Sequence, residues 1–365
     1  MSIGYSNEAM DQPLHHPHSP FRIFAFSAIA TIGALVWMLL DRGLSGMFIA
    51  LVLIAVEVAF SFDNAILNAK ILAKMSRFWQ NIFLTIGALI AIFGMRIVFP
   101  IIMVSLTAGL GLKEVLDLAL HHPHEYAHHL EEAHPTLSSF GGAFLLILAL
   151  DFFVDDSQEV MWLTRIEQHT RRLPARYAPP VLAVLVVSLI AILPFNHHAE
   201  ETFIAGIAGI VTYSIIHGLT SVFGRMQEKS VQQTQAGAKK AVVYTGFAAF
   251  TSFLYLEVLD ATFSFDSVLG AFAVTSDVVL IAIGLGVGAM WVRSLTIFMV
   301  RRKTLGNYKY IEHGAHYTIF ILACILFVSL FVRIPEIITG FAGIGVIISS
   351  IIASRQALAA KTKHA

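Results

Sequence analysis

Charged residues are scarce in this 365-residue chain: Asp, Glu, Lys and Arg make up 13% of it, against about 25% in soluble domains. Hydrophobic residues make up 57%, and the mean hydropathy is +0.75. A soluble fold of this length has too little interior to hide so much apolar surface, so the composition predicts a membrane protein. The net charge is zero, which gives no sign of nucleic-acid binding.

Cysteine is almost absent as well. Cys324 is the only one, which excludes an intrachain disulfide and a metal site built from cysteine ligands. No small-residue cleavage site follows the first apolar run, so we expect that run to be a retained membrane helix. The chain also lacks the ATP-binding pattern GxxxxGK[ST] and the zinc-protease pattern HExxH.

Apolar runs of about 20 residues, the length that crosses a bilayer, recur along the chain. They predict an all-α fold, a polytopic transmembrane helical bundle with ten spans. The spans are expected at 22–40, 47–72, 82–106, 139–154, 178–195, 203–222, 241–270, 278–300, 315–332 and 335–353. The corresponding regions are a disordered cytoplasmic N-terminus (1–21), a first transmembrane half (22–195), a second transmembrane half (196–353) and a cytoplasmic C-terminal tail (354–365).

The basic residues orient these spans. With the N-terminus in the cytoplasm, 19 of the 24 Lys and Arg residues fall in cytoplasmic segments. Only Arg42, Lys113 and Arg333 fall in outer segments, while Arg96 and Arg293 lie within spans. Cytoplasmic loops of membrane proteins carry such an excess of positive charge. Both termini are therefore predicted to be cytoplasmic, and a missed span would invert every later loop.

A short motif occurs twice. The sequence FSFDN at 60–64 returns 203 residues later as FSFDS at 263–267. The flanking matches are Glu57 with Asp260 at the same offset, and Gly87 with Gly284 and Arg96 with Arg293 at an offset of 197. Span two runs inward and span seven runs outward, so the two halves are predicted to form an inverted repeat. Secondary transporters with this architecture bind their substrate near the bilayer midplane, between the repeats.

The repeated segments place acids inside the bilayer, where each ionised group costs about 2.5–3.5 kcal/mol unless something offsets it. The predicted metal ligands are Glu57, Asp63, Asn64, Glu257, Asp260 and Asp266. Accessory roles are predicted for Ser61, Asn68, Ser264, Ser267, Arg96 and Arg293. Carboxylate, amide and hydroxyl oxygens suit hard ions such as Mn²⁺, Ca²⁺ and Mg²⁺. The alternative is interhelical hydrogen bonding by Ser, Asn and protonated acids.

Helix geometry leaves several points open. At about 100° per residue, the acids of one span do not share one face, so a single ion needs locally broken helices or two helices that face each other. Arg96 and Arg293 either act as counter-ions to the acids or extend to the membrane interface. The outer segment 121–134, HHPHEYAHHLEEAH, is either a solvated polar loop or a weak recruiter of divalent cations.

At these motifs the chain resembles the TerC family of integral membrane proteins. The resemblance rests on EVAFSFDNAILNAKIL (57–72), GALIAIFGMR (87–96) and EVLDATFSFDSVLGAFAVTSD (257–277), and it extends over 47–332. The segments 151–167 and 310–317 resemble a subgroup with a longer cytoplasmic loop. TerC proteins are associated with tellurium resistance and manganese efflux. The resemblance implies metal-binding roles for Glu57, Asp63 and Asn64 in the first motif and for Glu257 and Asp266 in the second.

Together these features predict a multi-pass protein of a bacterial-type cytoplasmic membrane that exports a hard divalent ion, with Mn²⁺ favoured, as a secondary transporter. Its partners would be that ion and the lipid bilayer, with no nucleic acid and no organic cofactor, and its oligomeric state stays open. The first alternative is a non-transporting metal-binding scaffold used in tellurite or metal stress. An intramembrane aspartic protease is disfavoured, because the repeat involves more than two carboxylates.

Overall fold

A computed structural model describes residues 20–155, 160–174, 177–234, 243–272, 274–302, 308–332 and 334–363. The described residues are almost entirely helical, and the only β-type pairing among them is an isolated bridge between Met75 and Tyr244. In chain order the helices are α1 (Pro20–Phe60), α2 (Phe62–Leu72), α3 (Arg77–Ile82), α4 (Phe99–Ala108), α5 (Leu112–His121), α6 (Pro123–Val154), α7 (Thr164–Thr170), α8 (Ala178–Ala191), α9 (Ala199–Thr234), α10 (Gly246–Phe272), α11 (Val278–Arg302), α12 (Ile311–Val328) and α13 (Glu336–Lys363). The all-α prediction is confirmed.

Seven helical stretches of the described residues are long and apolar enough to cross a membrane. They are Ile23–Ala59, Arg77–Ala108, Pro123–Val154, Ala199–Gln227, Val278–Arg302, Ile311–Val328 and Ile338–Ala359, with Ala178–Ala191 as a shorter apolar helix. Large apolar side chains such as Trp37, Leu40 and Phe48 are exposed on the outside of the bundle, as lipid-facing residues are. The structure is that of a multi-pass membrane protein.

The first helix contains a sharp break. Gly43 has φ +71° and ψ −165° inside α1, a backbone conformation that glycine adopts without steric penalty and other residues avoid. The break falls between the predicted first span (22–40) and second span (47–72). Helix α1 therefore consists of two helical segments that run in different directions.

The His-rich segment at 121–134 differs from its predicted loop structure. Helix α6 begins at Pro123 and continues to Val154, so the fourth span is the inner part of a longer helix than the predicted 139–154. Proline suits a first helical turn, where its missing N–H has no intrahelical partner. Tyr126, Leu130 and Ala133 recur at helical spacing and are buried, and the start of α6 packs on α4 and α5. This apolar stripe explains why the segment is helical.

At the chain ends, α1 already includes residues 20 and 21, while the rest of the predicted N-terminal segment lies outside the described residues. The predicted C-terminal tail begins within α13, which continues to Lys363. Ser354 is buried there and accepts a hydrogen bond from the backbone N–H of Tyr310 at 2.8 Å. This part of the tail is therefore anchored to the start of α12.

Two contacts tie the ends of distant helices together. Arg42, beside the break in α1, donates a hydrogen bond to Asp277 at 2.8 Å, just before α11. The backbone of Tyr244, before α10, pairs with Lys74 and Ser76, after α2, at N–O distances of 2.7 Å and 3.0 Å. Each contact joins a segment next to the first motif's helices with a segment next to the second motif's helices.

The centre of the bundle depends on close helix packing. Helix α11 lies along α1, and the glycines on its contact face have no room for a side chain. A Cβ on Gly284 would lie 2.6 Å from Cβ of Leu53, and one on Gly288 would lie 2.5 Å from Cβ of Glu57. These glycines therefore set how closely α11 approaches the first motif.

Replacing Gly288 by alanine should lower the free energy of unfolding by about 1–3 kcal/mol, because the added methyl group forces α11 away from Glu57. Gly345 is the matched control, since it is also helical and has open space around its Cβ position. Gly345→Ala should be neutral or stabilise by up to about 1 kcal/mol through helix propensity. Unfolding in detergent measures both, and equal effects would contradict the close-packing account.

Candidate metal centre

The first motif lies at an irregular point between two helices. Helix α1 ends at Phe60 and α2 begins at Phe62, with Ser61 between them at φ −95° and ψ 17°. The backbone hydrogen bonds still run through the junction: Ser61 N–H donates to Glu57 at 3.0 Å, and Ala65 N–H donates to Ser61 at 3.1 Å. The irregularity is therefore confined to Ser61, with no long unwound segment.

The second motif lies within a continuous helix. Helix α10 runs unbroken from Gly246 to Phe272 and contains Glu257, Asp260 and the backbone of Asp266. The side chain of Asp266 lies outside the described residues, so its predicted ligand role is untested. Helix geometry left two arrangements open: locally broken helices, or two helices that face each other. The second arrangement occurs between α2 and α10, which pack against each other.

Arg96 and Glu57 form a buried ion pair. A terminal nitrogen of Arg96 donates to Glu57 Oε1, and the hydroxyl of Ser61 donates to the same oxygen at 3.2 Å. The other terminal nitrogen of Arg96 donates to the carbonyl of Ala91 at 2.6 Å. Arg96 is 4% exposed, so it does not extend to the membrane interface.

Arg293 forms ion pairs with two acids of the second motif. It donates to both oxygens of Glu257, each at 3.2 Å, and to Asp260 at 3.0 Å. It also donates to the carbonyl of Phe83 at 3.1 Å and stacks over the Phe83 ring at 4.3 Å. A Cβ on Gly87 would overlap this cluster, so glycine is required there. For both arginines, the structure shows the counter-ion arrangement.

The helix that carries Arg96 has an unusual backbone. Between α3 and α4 the chain forms two π-helical segments, Phe83–Gly87 and Ile90–Val98. The wider π turn is frequently found at functional sites. Here it contains Gly87 and Arg96, and it includes the Phe83 carbonyl that receives Arg293. Sequence analysis identified Gly87 and Arg96 from the repeat, but it had no signal for the π turns or for the role of Phe83.

One direct hydrogen bond links the two motifs. The side-chain amide of Asn64, in α2, donates to Asp260 Oδ1, in α10, at 3.0 Å. Asp260 therefore receives hydrogen bonds from Asn64 and Arg293 together. Residues predicted to form one site from opposite halves of the chain are in contact.

The same motifs hold buried oxygen atoms without a hydrogen-bond partner among the described residues. They are Glu57 Oε2, Asp63 Oδ1, Asn64 Oδ1, Asn68 Oδ1 and Ser264 Oγ. Buried polar atoms are nearly always paired, so these oxygens are acceptors open to a ligand or to water. The donor chemistry fits a hard cation, because carboxylate, amide and hydroxyl oxygens are all acceptable ligands. Four of the five belong to the first motif or its continuation in α2.

A small cavity of about 60 Å³ opens beside Asp63, large enough for one or two water-sized groups. It lies between α2, α10, α12 and α13. Its polar lining consists of Ser61, Asp63, Thr262, Ser267, Thr318 and Thr339. Asp63 thus has free space on one side, in contrast to Glu57 and Glu257, whose carboxylates contact arginines.

The predicted ligands do not converge on a single point. Among the described side chains, no three acids of the two motifs have carboxylate oxygens within 4.8 Å of one another. Glu257 and Asp260 share Arg293, Glu57 contacts Arg96, and Asp63 faces the cavity. A single ion held by all the predicted ligands would require these ion pairs to rearrange.

A larger polar cavity of about 790 Å³ lies at the end of α2 that carries Lys70. Asp151 accepts a hydrogen bond from the hydroxyl of Tyr213 at 2.8 Å, and His217 lies 3.4 Å from the same carboxylate. Lys70 itself forms an ion pair with Glu312. Sequence analysis did not assign these residues to a site, because they come from four helices far apart in the chain.

The model of a protein family described as "Protein of unknown function (DUF475)" matches residues 62–360. The chain belongs to the DUF475 family. The match begins within the first motif and includes the whole second motif, Arg96 and Arg293, while Glu57 precedes it. No curated protein and no solved structure matches the chain. The resemblance of this DUF475 protein to TerC proteins stays a prediction.

Arg293→Met should lower the free energy of unfolding by about 3–5 kcal/mol, because it leaves Glu257 and Asp260 buried without their counter-ion. The matched control is Arg42→Met, which removes an ion pair whose arginine is 42% exposed and should cost less than about 1 kcal/mol. Chemical unfolding in detergent, followed by circular dichroism, measures the difference. Equal effects of the two substitutions would contradict the assignment of Arg293 as the buried counter-ion of Glu257 and Asp260.

Proposed function

We propose that this DUF475 protein is a secondary transporter that exports a hard divalent cation through a site formed by its two FSFD motifs. The observation that carries the proposal is the group of unpartnered buried oxygens around Asp63 and Asn64, next to acids that two buried arginines neutralise. A site of this kind has ligands for a cation. It also has internal positive charges that stabilise the acids when no cation is bound.

The charge of the cluster supports a divalent ion. When ionised, the four described carboxylates and two guanidiniums carry a formal charge of −2, which one divalent cation neutralises. The acids are Glu57, Asp63, Glu257 and Asp260, and the bases are Arg96 and Arg293. An uncompensated charge of this size inside a bilayer is costly, so neutralisation by the transported ion is favourable.

The arginines have second partners, which supports an exchange mechanism. Arg96 donates to the Ala91 carbonyl, and Arg293 donates to the Phe83 carbonyl and stacks on its ring. When an entering cation displaces Arg293 from Asp260 or Arg96 from Glu57, each guanidinium keeps a hydrogen bond. After the ion leaves, the arginine returns to the carboxylate, so Glu57 and Asp260 each regain a counter-ion.

The ligand set limits the kinds of ion that the site would bind. Every predicted ligand offers oxygen, which suits Mn²⁺, Ca²⁺ and Mg²⁺ and disfavours softer ions that prefer sulfur. The preference for Mn²⁺, and the outward direction, rest on the resemblance to TerC proteins.

The contacts between helix ends support the ten-span inverted topology. Arg42 and Asp277 both fall on the predicted outer side, whereas Lys74 falls in a predicted cytoplasmic segment and Tyr244 at the cytoplasmic end of the predicted span 241–270. An odd number of crossings between the members of either pair would separate them by a bilayer. The break at Gly43 supports counting α1 as two spans.

Replacing Asp63 and Asp266 together by asparagine should abolish Mn²⁺ flux into inside-out vesicles, because it removes two negative ligands from the proposed site. Asp277→Asn is the matched control, since Asp277 is an acid outside the motifs that pairs with Arg42. Its flux should stay near that of the unchanged protein. Mn²⁺ binding without flux in the unchanged protein would favour the scaffold alternative, and undiminished flux in the double variant would refute the site.

Cysteine labelling tests the topology. In a Cys324→Ser background, a membrane-impermeant maleimide applied to intact cells should label Asp41→Cys and Glu131→Cys. Lys74→Cys and Arg172→Cys should react only after permeabilisation. Asp41 lies beside the break in α1, so its labelling decides whether α1 crosses once or twice. Labelling of Asp41→Cys and Lys74→Cys from the same side would rule out a crossing between them.

A further inference from the structure

We propose a second metal site at the start of α6, formed by His128, His129 and Glu132, that binds a borderline ion of the Zn²⁺ class. It is separate from the FSFD motifs in position and in donor chemistry. Among the described residues, these three side chains form a group whose ligand atoms all lie within 4.8 Å of one another.

The geometry fits ligands around one small ion. Nδ1 of His129 lies 2.9 Å from one oxygen of Glu132, and Nδ1 of His128 lies 3.5 Å from the other. Bonds of about 2.1 Å to a tetrahedral Zn²⁺ place its ligand atoms about 3.4 Å apart. The observed separations are close to that value, so the ion needs only small side-chain movements to enter.

The helix keeps this arrangement in place. Glu132 is three residues after His129 and four after His128, so each histidine is a neighbour of Glu132 on the surface of α6. The opposite face carries the buried residues Tyr126 and Leu130. The ring of Tyr126 packs on that of Phe272 at 5.9 Å. Because this face is packed against the rest of the bundle, the ligand face has a fixed orientation, as metal sites require.

The donor set selects a different ion from the FSFD site. Two imidazole nitrogens and one carboxylate suit Zn²⁺, Co²⁺ and Ni²⁺, whereas Ca²⁺ and Mg²⁺ prefer oxygen alone. The side chain of His128 is 71% exposed, so an ion can reach the group from solvent and keep water as its fourth ligand. On the proposed topology, this site faces the outer side.

The test is Zn²⁺ titration by isothermal calorimetry on full-length protein in detergent, with any purification tag removed because polyhistidine binds the same ions. The unchanged protein should bind Zn²⁺, and His128→Ala/His129→Ala should weaken the tightest binding by at least about tenfold. Glu132→Gln should also weaken it. His197→Ala/His198→Ala is the matched control, since it removes another adjacent histidine pair in a predicted outer segment, and it should retain the affinity of the unchanged protein.

Two results would overturn the proposal: unchanged affinity in His128→Ala/His129→Ala, or an equal loss in the control pair. Thermal unfolding without metal checks that the variants are folded, and Zn²⁺ should raise the melting temperature of the unchanged protein and of the control pair but not that of His128→Ala/His129→Ala. Mn²⁺ flux in vesicles should be unaffected by His128→Ala/His129→Ala. This readout separates the failure of this site from the failure of the transport proposal.

Discussion

The buried pairing of arginine with carboxylate is the constraint on which the rest of this structure depends. A membrane bundle gives a charged side chain neither water nor a high dielectric, so each acid in its centre needs a partner within hydrogen-bond distance. Glu57 meets this requirement through Arg96, and Glu257 and Asp260 meet it through Arg293. Each pair joins two helices, so satisfying the charges also determines which helices pack at the centre.

The two ion pairs are related by the repeat in the sequence. Glu57 corresponds to Asp260 and Arg96 to Arg293, and each acid contacts the arginine of its own half. The packing follows the same relation. Gly87 closely approaches Phe253 and Glu257 in α10, and its counterpart Gly284 closely approaches Ala50 and Leu53 in α1. These agreements in three dimensions support a common plan for the halves, because the sequence comparison used no spatial information.

Local and repeated features were predictable from the sequence, whereas contacts that depend on exact helix positions were not. Hydropathy predicted membrane helices, and the duplicated FSFD segment selected Asp63, Glu57 and Asp260 as central residues. The partner of each arginine was undetermined, because a guanidinium within a span reaches several turns in either direction. The π turns that carry Arg96 were also missed, since they reflect the packing of the bundle more than a residue preference.

The helical start of α6 was missed for a different reason. Its dense His and Glu content suggested a solvated loop, yet the apolar residues Tyr126, Leu130 and Ala133 follow a helical period through the same segment. Polar composition and amphipathic periodicity are compatible when only one face is solvated. The periodicity was the better guide to backbone structure here, and composition was the better guide to the chemistry of the exposed face.

The differences between the halves bear on where the proposed ion binds. Among the described side chains, the unpartnered oxygens lie mainly at the first motif, on Glu57, Asp63, Asn64 and Asn68, and Ser264 contributes one from the second. Arg293 contacts two acids, whereas Arg96 contacts one. Among the described side chains, both acids of the second motif contact an arginine, whereas Asp63 of the first motif does not. On the proposed function, the first motif supplies most of the initial ligands from the α1–α2 junction. The second motif supplies carboxylates only as Arg293 withdraws, so ion binding and the movement of α10 against α11 would be coupled through that one side chain.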